Sequence, residues 1–322
     1  MKKILGILLL LLTVSALTAV VSPAFLGFEN IENLIRRSAL FGWISVGAAF
    51  VILTGGIDLS IGSVICLVGC LAPWLLVDLG WSPWVALPVL VSLSAALGLA
   101  HGLLVTRLGL QPFVVTLCGL LLYRGAARGL TQDRALGFRG EFADLRGLAT
   151  AQVEVPFLPG FGIPVPALLL VVLAVACAVL LGRTVFGRHL YALGRNEEAA
   201  RFAGVRTAAV TTTAYVICAT LAGIGGLLFA FDVGSVQASS FGNFYELYAI
   251  AGAVLGGCAL RGGEGTVLGV LLGAALMQVL RNATNLVGIP TQLEFAIIGA
   301  VILSGVVLDE LVKRVARRRR SG

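Results

Sequence analysis

Residues 182–207 read GRTVFGRHLYALGRNEEAARFAGVRT, a polar interruption in a chain that is otherwise strongly apolar. The segment carries five arginines and two glutamates, whereas long apolar runs precede and follow it. Asn196 is a residue type that caps helices, and Glu197 and Glu198 would then lie in the first turn, where the helix dipole favours acidic side chains. Gly204 can end this helix. The segment therefore predicts a short helix that is presented to water between two apolar halves.

The overall composition indicates which solvent the chain is built for. Of its 322 residues, 58% are hydrophobic and 12% are charged, and the mean hydropathy is +1.01. Ordinary soluble domains carry about 25% charged residues, so this chain cannot cover itself with a polar surface. We therefore predict an all-α, polytopic protein of the lipid bilayer, with about 20 residues in each span. The net charge of +7 comes from residues at the edges of apolar runs and does not indicate a nucleic-acid partner.

Ten apolar segments predict ten transmembrane helices. The first, residues 4–21, exceeds the roughly 7–15-residue core of a signal peptide, so we expect a retained span, with cleavage as the alternative. A polar connector is expected at residues 25–37. Several segments are short for a tilted span, which leaves nine or eleven spans as alternatives. The other nine spans are predicted at residues 38–54, 59–77, 83–106, 112–130, 165–181, 208–231, 246–260, 265–281 and 292–308.

The distribution of basic residues gives the orientation of the spans. If the N-terminus lies in the cytoplasm and ten spans alternate, fifteen basic residues fall on the cytoplasmic side and six on the outer side. An odd number of spans would place either the N-terminal lysines or the C-terminal arginine run outside. The sequence therefore predicts a single transmembrane domain over residues 1–322 with both termini in the cytoplasm. Three polar segments follow from this topology: a cytoplasmic loop at 182–207, an outer connector at 131–164 and a basic cytoplasmic tail at 309–322.

Small residues at a spacing of four mark the faces along which membrane helices pack closely. The six cysteines fall in apolar runs and are expected to pack there as small hydrophobic residues. The pairs Gly55–Gly56 and Gly262–Gly263 each precede a span, which is compatible with a duplicated half or with coincidence. A compact bundle is predicted by three stripes and two pairs of small residues: Gly265, Gly269 and Gly273; Ser94, Gly98 and Gly102; Gly62, Cys66 and Cys70; Gly252 with Gly256; and Ala222 with Gly226.

The sequence lacks the residues that several kinds of chemistry require. A phosphate-binding P-loop needs a lysine after its glycine loop, and the only lysines, Lys2, Lys3 and Lys313, follow no such loop. Neither a Gly-x-Ser-x-Gly nor a His-Glu-x-x-His motif is present. Cys66 and Cys70 have no histidine or carboxylate at the spacing of metal ligands. We therefore expect no ATP site, no metal site and no catalytic residue on this chain.

Polar residues inside apolar runs are candidates for a translocation pathway or a gate, because burying them in a membrane is costly. Asp58 lies in the stretch TGGIDLSIGS, where it could cap the following helix, act in a gate, or do both. His101 is expected to be a hydrogen-bonded packing residue, with a proton relay as the alternative. The pathway candidates are Asp58, Ser60, Gln278 and Asn282, and Asn285 lies close to the last two in sequence.

Three charged residues near the outer ends of predicted spans are candidates for docking an outer partner. Arg124 and Arg128 lie four residues apart and can extend their side chains towards the membrane surface. Glu246 opens an apolar segment, where an acid in the first turn also suits the helix dipole. The alternative for all three is a purely structural role.

Four motifs, in order along the chain, resemble the permease subunit of the ribose-type family of ATP-binding-cassette sugar importers. They are TGGIDLSIGS at 54–63, QPFVVTLCGLLLYRGAARGLT at 111–131, FGRHLYALGRNEEAARFAGV at 186–205 and YELYAIAGAVLGGCALRGGEGTVLG at 245–269. The resemblance extends over residues 28–309. In that family the third motif contains the coupling segment that rests on the ATPase subunit. The matching candidates are Gly187, Gly194, Asn196, Glu197, Glu198, Ala199, Ala200, Arg201 and Gly204.

The resemblance implies a transport cycle that this chain shares with other subunits. Two permease subunits, identical or paired with a close relative, would enclose a route through the bacterial cytoplasmic membrane. A soluble outer protein would deliver a monosaccharide, and cytoplasmic subunits would bind ATP and Mg²⁺ and move the coupling segment. A stand-alone, ion-coupled transporter is the alternative, although it needs membrane-embedded acids or histidines, and the sequence offers few. The motifs do not identify the sugar.

Overall fold

The computed structural model of the chain describes residues 2–290 and, beyond them, residues 293, 296, 297, 299, 300 and 303. The predicted span at 292–308 is therefore described only at six separate positions, and the predicted tail at 309–322 lies outside the described residues. The described chain is overwhelmingly helical, which confirms the predicted all-α class. Its helices are α1 (Lys2–Val21), α2 (Phe28–Leu53), α3 (Ile61–Pro73), α4 (Pro83–Arg107), α5 (Pro112–Thr131), α6 (Ala143–Thr150), α7 (Val165–Arg183), α8 (Val185–Arg195), α9 (Glu197–Phe202), α10 (Thr207–Val233), α11 (Tyr245–Leu255) and α12 (Val267–Leu286), and its strands are β1 (Leu136–Gly137), β2 (Gln152–Glu154), β3 (Gly162–Pro164) and β4 (Ser235–Val236).

Eight helices of the described chain are long and apolar enough to cross a membrane. They are α1, α2, α4, α5, α7, α10 and α12, together with α3, which a π-helical turn extends to Asp78. Each corresponds to one of the predicted spans, so the polytopic membrane architecture is confirmed. The total of ten spans and the side on which each terminus lies stay predictions.

The polar connector predicted at residues 25–37 is wrong for most of its length. A 3₁₀ turn at Pro23–Leu26 leads into α2, which begins at Phe28. With 26 residues, α2 is about 39 Å long, whereas the hydrocarbon core of a bilayer is about 30 Å thick. The polar first turns of α2 therefore extend beyond the hydrocarbon, where a sequence with several charges can remain helical.

The span predicted at residues 246–260 is shorter than expected. α11 has only 11 residues, which corresponds to about 16 Å and therefore to roughly half of the hydrocarbon core. It begins after Phe244, whose φ is +64°, and the chain beyond it turns through Gly257, whose φ is +93°. The apolar run predicted a full span because hydropathy does not register these two left-handed turns.

α10 forms the centre of the bundle and packs against α2, α3 and α4. Small residues let these backbones approach closely. A methyl group on Gly98 would lie 2.5 Å from the carbonyl oxygen of Tyr215, and one on Gly223 would lie 2.6 Å from the Cβ of Ser94. The stripe that combines Ser94, Gly98 and Gly102 is therefore a helix-packing surface, as predicted.

α11 packs on α12 through four glycines. A methyl group on Gly256 would lie 2.5 Å from the carbonyl oxygen of Gly269, and one on Gly273 would overlap the backbone of Gly252. The predicted pair Gly252 and Gly256 thus faces Gly269 and Gly273 of the predicted stripe. α12 also borders α1 and α2, so the long helices α2 and α12 lie side by side through the bundle.

The connector between α5 and α7 has a definite structure. It contains α6 and an antiparallel hairpin of β2 with β3, while β1 pairs with β4 at the end of α10. The carboxylate of Glu32, on the second turn of α2, accepts hydrogen bonds from the N–H of Gly162 (2.6 Å) and the side-chain amide of Gln152 (3.1 Å). Because Glu32 is buried, these bonds fix the hairpin to the beginning of α2.

Candidate coupling segment and translocation pathway

α8 is the first part of the polar segment, and it is packed tightly onto the bundle. Its N-cap is Thr184, whose Oγ accepts the N–H of Gly187 at 3.2 Å. Leu190 and Leu193 bury one face of α8. A Cβ on Gly187 would overlap the carbonyl oxygen of Leu181 in α7, so this glycine is required for the close approach of α8 to α7.

α9 follows after a single residue and begins as the sequence predicted. The Oδ1 atom of Asn196 accepts the N–H of Ala199 at 2.9 Å, and the two glutamates occupy the first turn. Gly204 has a φ of +83° and donates its N–H to the carbonyl of Arg201 at 3.0 Å, which ends the helical conformation. The predicted N-cap and terminating glycine of this short helix are both present.

The outer surface of α9 is open to solvent. Of its six residues only Ala200 is buried, and Phe202 is 81% exposed. Single exposed apolar residues are common, but this ring lies on an exposed helix beside Arg201 and near Arg206. An aromatic ring among arginines is typical of the centre of a protein–protein interface. The coupling candidates that the resemblance gives do not include Phe202.

A glycine junction, defined here as Gly55, Gly194, Gly262 and Gly263, joins this segment to the bundle. A Cβ on Gly194 would overlap the carbonyl of Leu53 and the backbone nitrogen of Gly263, and one on Gly262 would lie 2.8 Å from both Gly194 and Gly55. The N–H of Gly263 donates to the Leu53 carbonyl at 2.9 Å. The two glycine pairs noticed in the sequence therefore meet in space, with the coupling segment against them.

Tyr191 adds a side-chain link at the same place. Its hydroxyl donates to the carbonyl of Gly265 at 2.9 Å, just before the start of α12. Burial, with a smaller effect of nearby Cys258, raises the pKa of this phenol, so the hydroxyl keeps the proton that it donates. The segment 182–207 is thus bonded to the residues just before α12 and packed on the end of α2.

Asp58 lies in the non-helical stretch between α2 and α3 and is almost fully buried. Its Oδ1 atom accepts two hydrogen bonds from Ser60, from the N–H at 2.8 Å and the hydroxyl at 2.6 Å. The prediction that Asp58 caps the next helix is wrong, since Ser60 occupies the cap position of α3 and its carbonyl accepts from Ser63 and Val64. The carboxylate is instead directed to its near neighbour, and its Oδ2 atom has no hydrogen bond within the described residues.

His101 makes the packing contact that the sequence favoured. It is buried in α4, and its Nε2 atom lies 2.8 Å from the hydroxyl of Tyr123 in α5. The ring also stands edge-on to Tyr215 of α10, with centroids 6.4 Å apart. A Cβ on Gly56 would lie 2.8 Å from the Tyr215 hydroxyl, so this buried polar layer begins next to the glycine junction.

Arg124 is bonded to the non-helical segment that precedes α11, and Glu246 of α11 packs against α3. The Arg124 guanidinium donates to the carbonyls of Phe241 (2.6 Å) and Ala238 (3.2 Å). Glu246 is buried, and a Cβ on Gly62 of α3 would overlap its carboxylate. Both residues are directed into the protein.

Arg128 differs from these two residues in its surroundings. Its side chain is about half exposed and forms an ion pair with Asp133 at 2.7 Å. Of the three residues predicted to dock an outer partner, it is therefore the one that faces solvent.

A polar cavity of about 500 Å³ lies between the beginning of α2 and the end of α12. The side chains of Asn30 and Asn282 exchange hydrogen bonds across it, at 3.2 Å and 2.7 Å. Gln278 is only 4% exposed, and its Nε2 atom has no hydrogen-bond partner within the described residues. The residues of the described chain that line it are Asn30, Asn33, Leu34, Arg37, Gln278, Arg281, Asn282 and Asn285.

An aromatic cluster packs against Arg281, one of the residues that line the cavity. The Arg281 guanidinium lies over the rings of Phe41 and Tyr248, at 5.7 Å and 4.9 Å from their centroids. Phe41 in turn packs against Tyr245 (4.9 Å) and Phe229 (5.1 Å). Arg281 therefore connects the lining of the cavity to a packed aromatic cluster.

The family model described as branched-chain amino acid transport system / permease component matches residues 30–305. The chain belongs to this family of transport permeases. It is a multi-pass protein of the cytoplasmic membrane and a component of a larger transport system.

Three similar permeases match this chain over nearly its whole length. The ribose import permease protein of Bacillus subtilis (strain 168) is 37% identical over 307 residues, which cover 95% of this chain and 91% of that protein. The ribose import permease protein of Escherichia coli (strain K12) is 34% identical, covering 94% and 92%. The xylose transport system permease protein of the same strain is 30% identical, covering 90% and 87%. No solved structure matches the permease significantly.

The pathway candidates of the permease do not form one site. Asp58 and Ser60 follow the end of α2, whereas Asn282 is hydrogen-bonded to Asn30 near the beginning of α2 and Gln278 lies one helical turn deeper in α12. Sequence reasoning missed Asn30 and Asn33, because it assigned them to a connector. The signal that could have found them is the helical spacing of the apolar residues around them, Phe28, Ile31, Leu34 and Ile35.

Proposed function

We propose that the permease is the membrane-crossing subunit of an ATP-driven importer of a monosaccharide, dependent on an outer binding protein. The observation that carries this proposal is the exposed helix α9, with Phe202 on its surface, anchored to the bundle through Gly194. The relatives named above import ribose or xylose, which supports a simple sugar as cargo. The choice among such sugars is left to transport measurements.

The energy would come from separate cytoplasmic subunits that bind ATP and Mg²⁺. The chain has no lysine that could serve a P-loop, so an ATP-driven cycle needs a partner. An exposed short helix with one aromatic side chain suits insertion into a groove of that partner. The coupling residues are Gly187, Gly194, Asn196, Glu197, Glu198, Ala199, Ala200, Arg201 and Gly204, to which we add Phe202.

The glycine junction would transmit the movement of the partner. It leaves no space for side chains between Gly194 and the inner ends of α2 and α12, so displacement of α8 must displace those helices as well. α2 and α12 also wall the polar cavity at their other ends. Alternating access would follow from tilting of this helix pair, with Asp58 and Ser60 near the inner gate and Gln278 and Asn282 at the outer entrance.

The complete importer would contain two permease subunits, either identical or paired with a close relative. An outer protein would capture the sugar and deliver it, and Arg128 is the exposed candidate for its docking. Most of the affinity for sugar would reside in that protein.

Association with the ATP-binding subunit tests the proposal. Replacing residues 197–201 by Gly and Ser should abolish both co-purification of that subunit and sugar uptake by proteoliposomes. The same replacement of residues 156–160, which are also exposed, is the control and should preserve both. Unchanged association after the first replacement would contradict the coupling role. Sugar movement driven by an ion gradient, with the purified permease alone, would establish the ion-coupled alternative instead.

A further inference from the structure

The lining of the polar cavity is chemically selective. Among the described residues that line it, seven of eight side chains carry an amide or a guanidinium group, and Leu34 is the exception. Amides both donate and accept hydrogen bonds, as sugar hydroxyls do, whereas guanidinium groups only donate. A branched aliphatic side chain would find little apolar wall in this space. The lining thus suits a neutral, polyhydroxylated ligand better than an apolar amino acid.

Gln278 contributes to the cavity a buried side-chain amide whose hydrogen-bonding capacity is not used within the described residues. Its exposed fraction is only 4%, and its Nε2 atom has no hydrogen-bond acceptor within the described residues. A buried donor without a partner is costly, so a ligand hydroxyl at this position would be stabilising. Since Asn33 and Asn285 are exposed, the cavity extends from a solvent-accessible mouth to this buried amide.

Charge and size agree with the same class of ligand. The charge of Arg37 is opposed by Asp232 at 3.4 Å, and Arg281 lies over two aromatic rings, so neither arginine points to a dedicated anion site. The volume of about 500 Å³ lies within the range of about 300–1,000 Å³ that is usual for small-molecule sites. An ordered sugar can be accommodated without displacing the helices.

We propose that the cavity between α2 and α12 is a binding site within the permease itself, in which a neutral monosaccharide is held by Gln278, Asn30 and Asn282 during its passage. This inference rests on the proposed function, because it assigns a step of sugar import to a site in this chain. Its affinity is expected to be weak, since a tightly held sugar would not continue inward.

Uptake by the complete transporter provides the first test. Gln278→Leu removes the buried amide and should lower the rate of sugar uptake at least fivefold, whereas Gln278→Asn, which keeps an amide, should retain more of it. Gln111→Leu makes the same change at an exposed position and is the matched control. Co-purification of the ATP-binding subunit and thermal melting identify any variant that has not folded. Parental uptake by a folded Gln278→Leu transporter would overturn the proposal.

Protection of a cysteine at the mouth provides the second test, and it does not depend on transport. Asn285→Cys is labelled with a membrane-impermeant maleimide in the permease bound to its ATP-binding subunit, with the unsubstituted chain as background. D-ribose or D-xylose at millimolar concentration should slow labelling at least threefold, and L-leucine at the same concentration should not. Equal rates with all three, or protection by leucine alone, would overturn the sugar site. Absence of ATP-dependent uptake by the unsubstituted transporter would instead refute the proposed function.

Discussion

Gly194 and Gly263 are in direct backbone contact. A Cβ on Gly194 would overlap the nitrogen of Gly263, lie 2.9 Å from its Cα, and overlap the Leu53 carbonyl. Three separate segments of the chain therefore meet without a side chain between them: the coupling segment, the end of α2 and the loop before α12. Such a contact transmits displacement because it cannot be compressed.

Adding a single methyl group at Gly194 should therefore disrupt coupling. Gly194→Ala forces the coupling segment away from α2, and overpacking of this kind costs about 1–3 kcal/mol. We expect sugar uptake by proteoliposomes to fall at least tenfold. Gly182→Ala is the control, because a methyl group there has no atom within 4 Å, and its uptake should be normal. Normal uptake by Gly194→Ala would show that the contact is dispensable.

Phe202 should contribute strongly to binding of the ATP-binding subunit. Truncation of an aromatic residue at the centre of an interface commonly costs about 2 kcal/mol or more, so Phe202→Ala should weaken binding at least tenfold. The measurement is titration of the purified permease with that subunit. Phe157, which is 91% exposed on the connector between α5 and α7, provides the matched control. Equal affinities of the two alanine variants would contradict the assignment of Phe202 to the interface.

The local features of the coupling segment could be predicted because they depend on residues close in sequence. Asn196 caps α9 and Gly204 ends it, as expected from residue type and spacing. The contact of Gly55 with Gly262 could not be predicted in the same way, since it joins residues about two hundred positions apart. The sequence revealed only that both pairs exist.

The wrong prediction of a connector at residues 25–37 explains why the sequence identified only the α12 side of the cavity. Polar residues in a membrane protein predict a loop when hydropathy is the main signal, so Asn30 and Asn33 were assigned to a connector. In the structure they lie on α2, and their polarity is matched by Gln278 and Asn282 of α12. Polar helical faces that pair with each other cannot be distinguished from loops by composition alone.

Arg124 should be essential for stability, whereas Arg128 should not. Arg124→Ala leaves the carbonyls of Ala238 and Phe241 without their charged donor. Since such bonds contribute about 1.5–3 kcal/mol each, loss of the two is expected to destabilise the protein by about 3–6 kcal/mol. Thermal melting in detergent should therefore shift down clearly for Arg124→Ala. Arg128→Ala breaks only an exposed ion pair and should melt close to the parent. Indistinguishable melting of both variants would refute this role of Arg124.

Alanine at two glycines of neighbouring helices should have effects of opposite sign. Gly62→Ala in α3 places a methyl group against the Glu246 carboxylate and 2.5 Å from the Gly242 carbonyl, so it should destabilise the protein by about 1–3 kcal/mol. Gly125→Ala in α5 meets no atom within 4 Å, so its main effect is the higher helix propensity of alanine, worth up to about 1 kcal/mol. Melting temperatures of the two variants should therefore lie on either side of the parental value. If Gly62→Ala melts at or above the parent, the segment before α11 is not held against α3 in the way that Glu246 and Arg124 indicate.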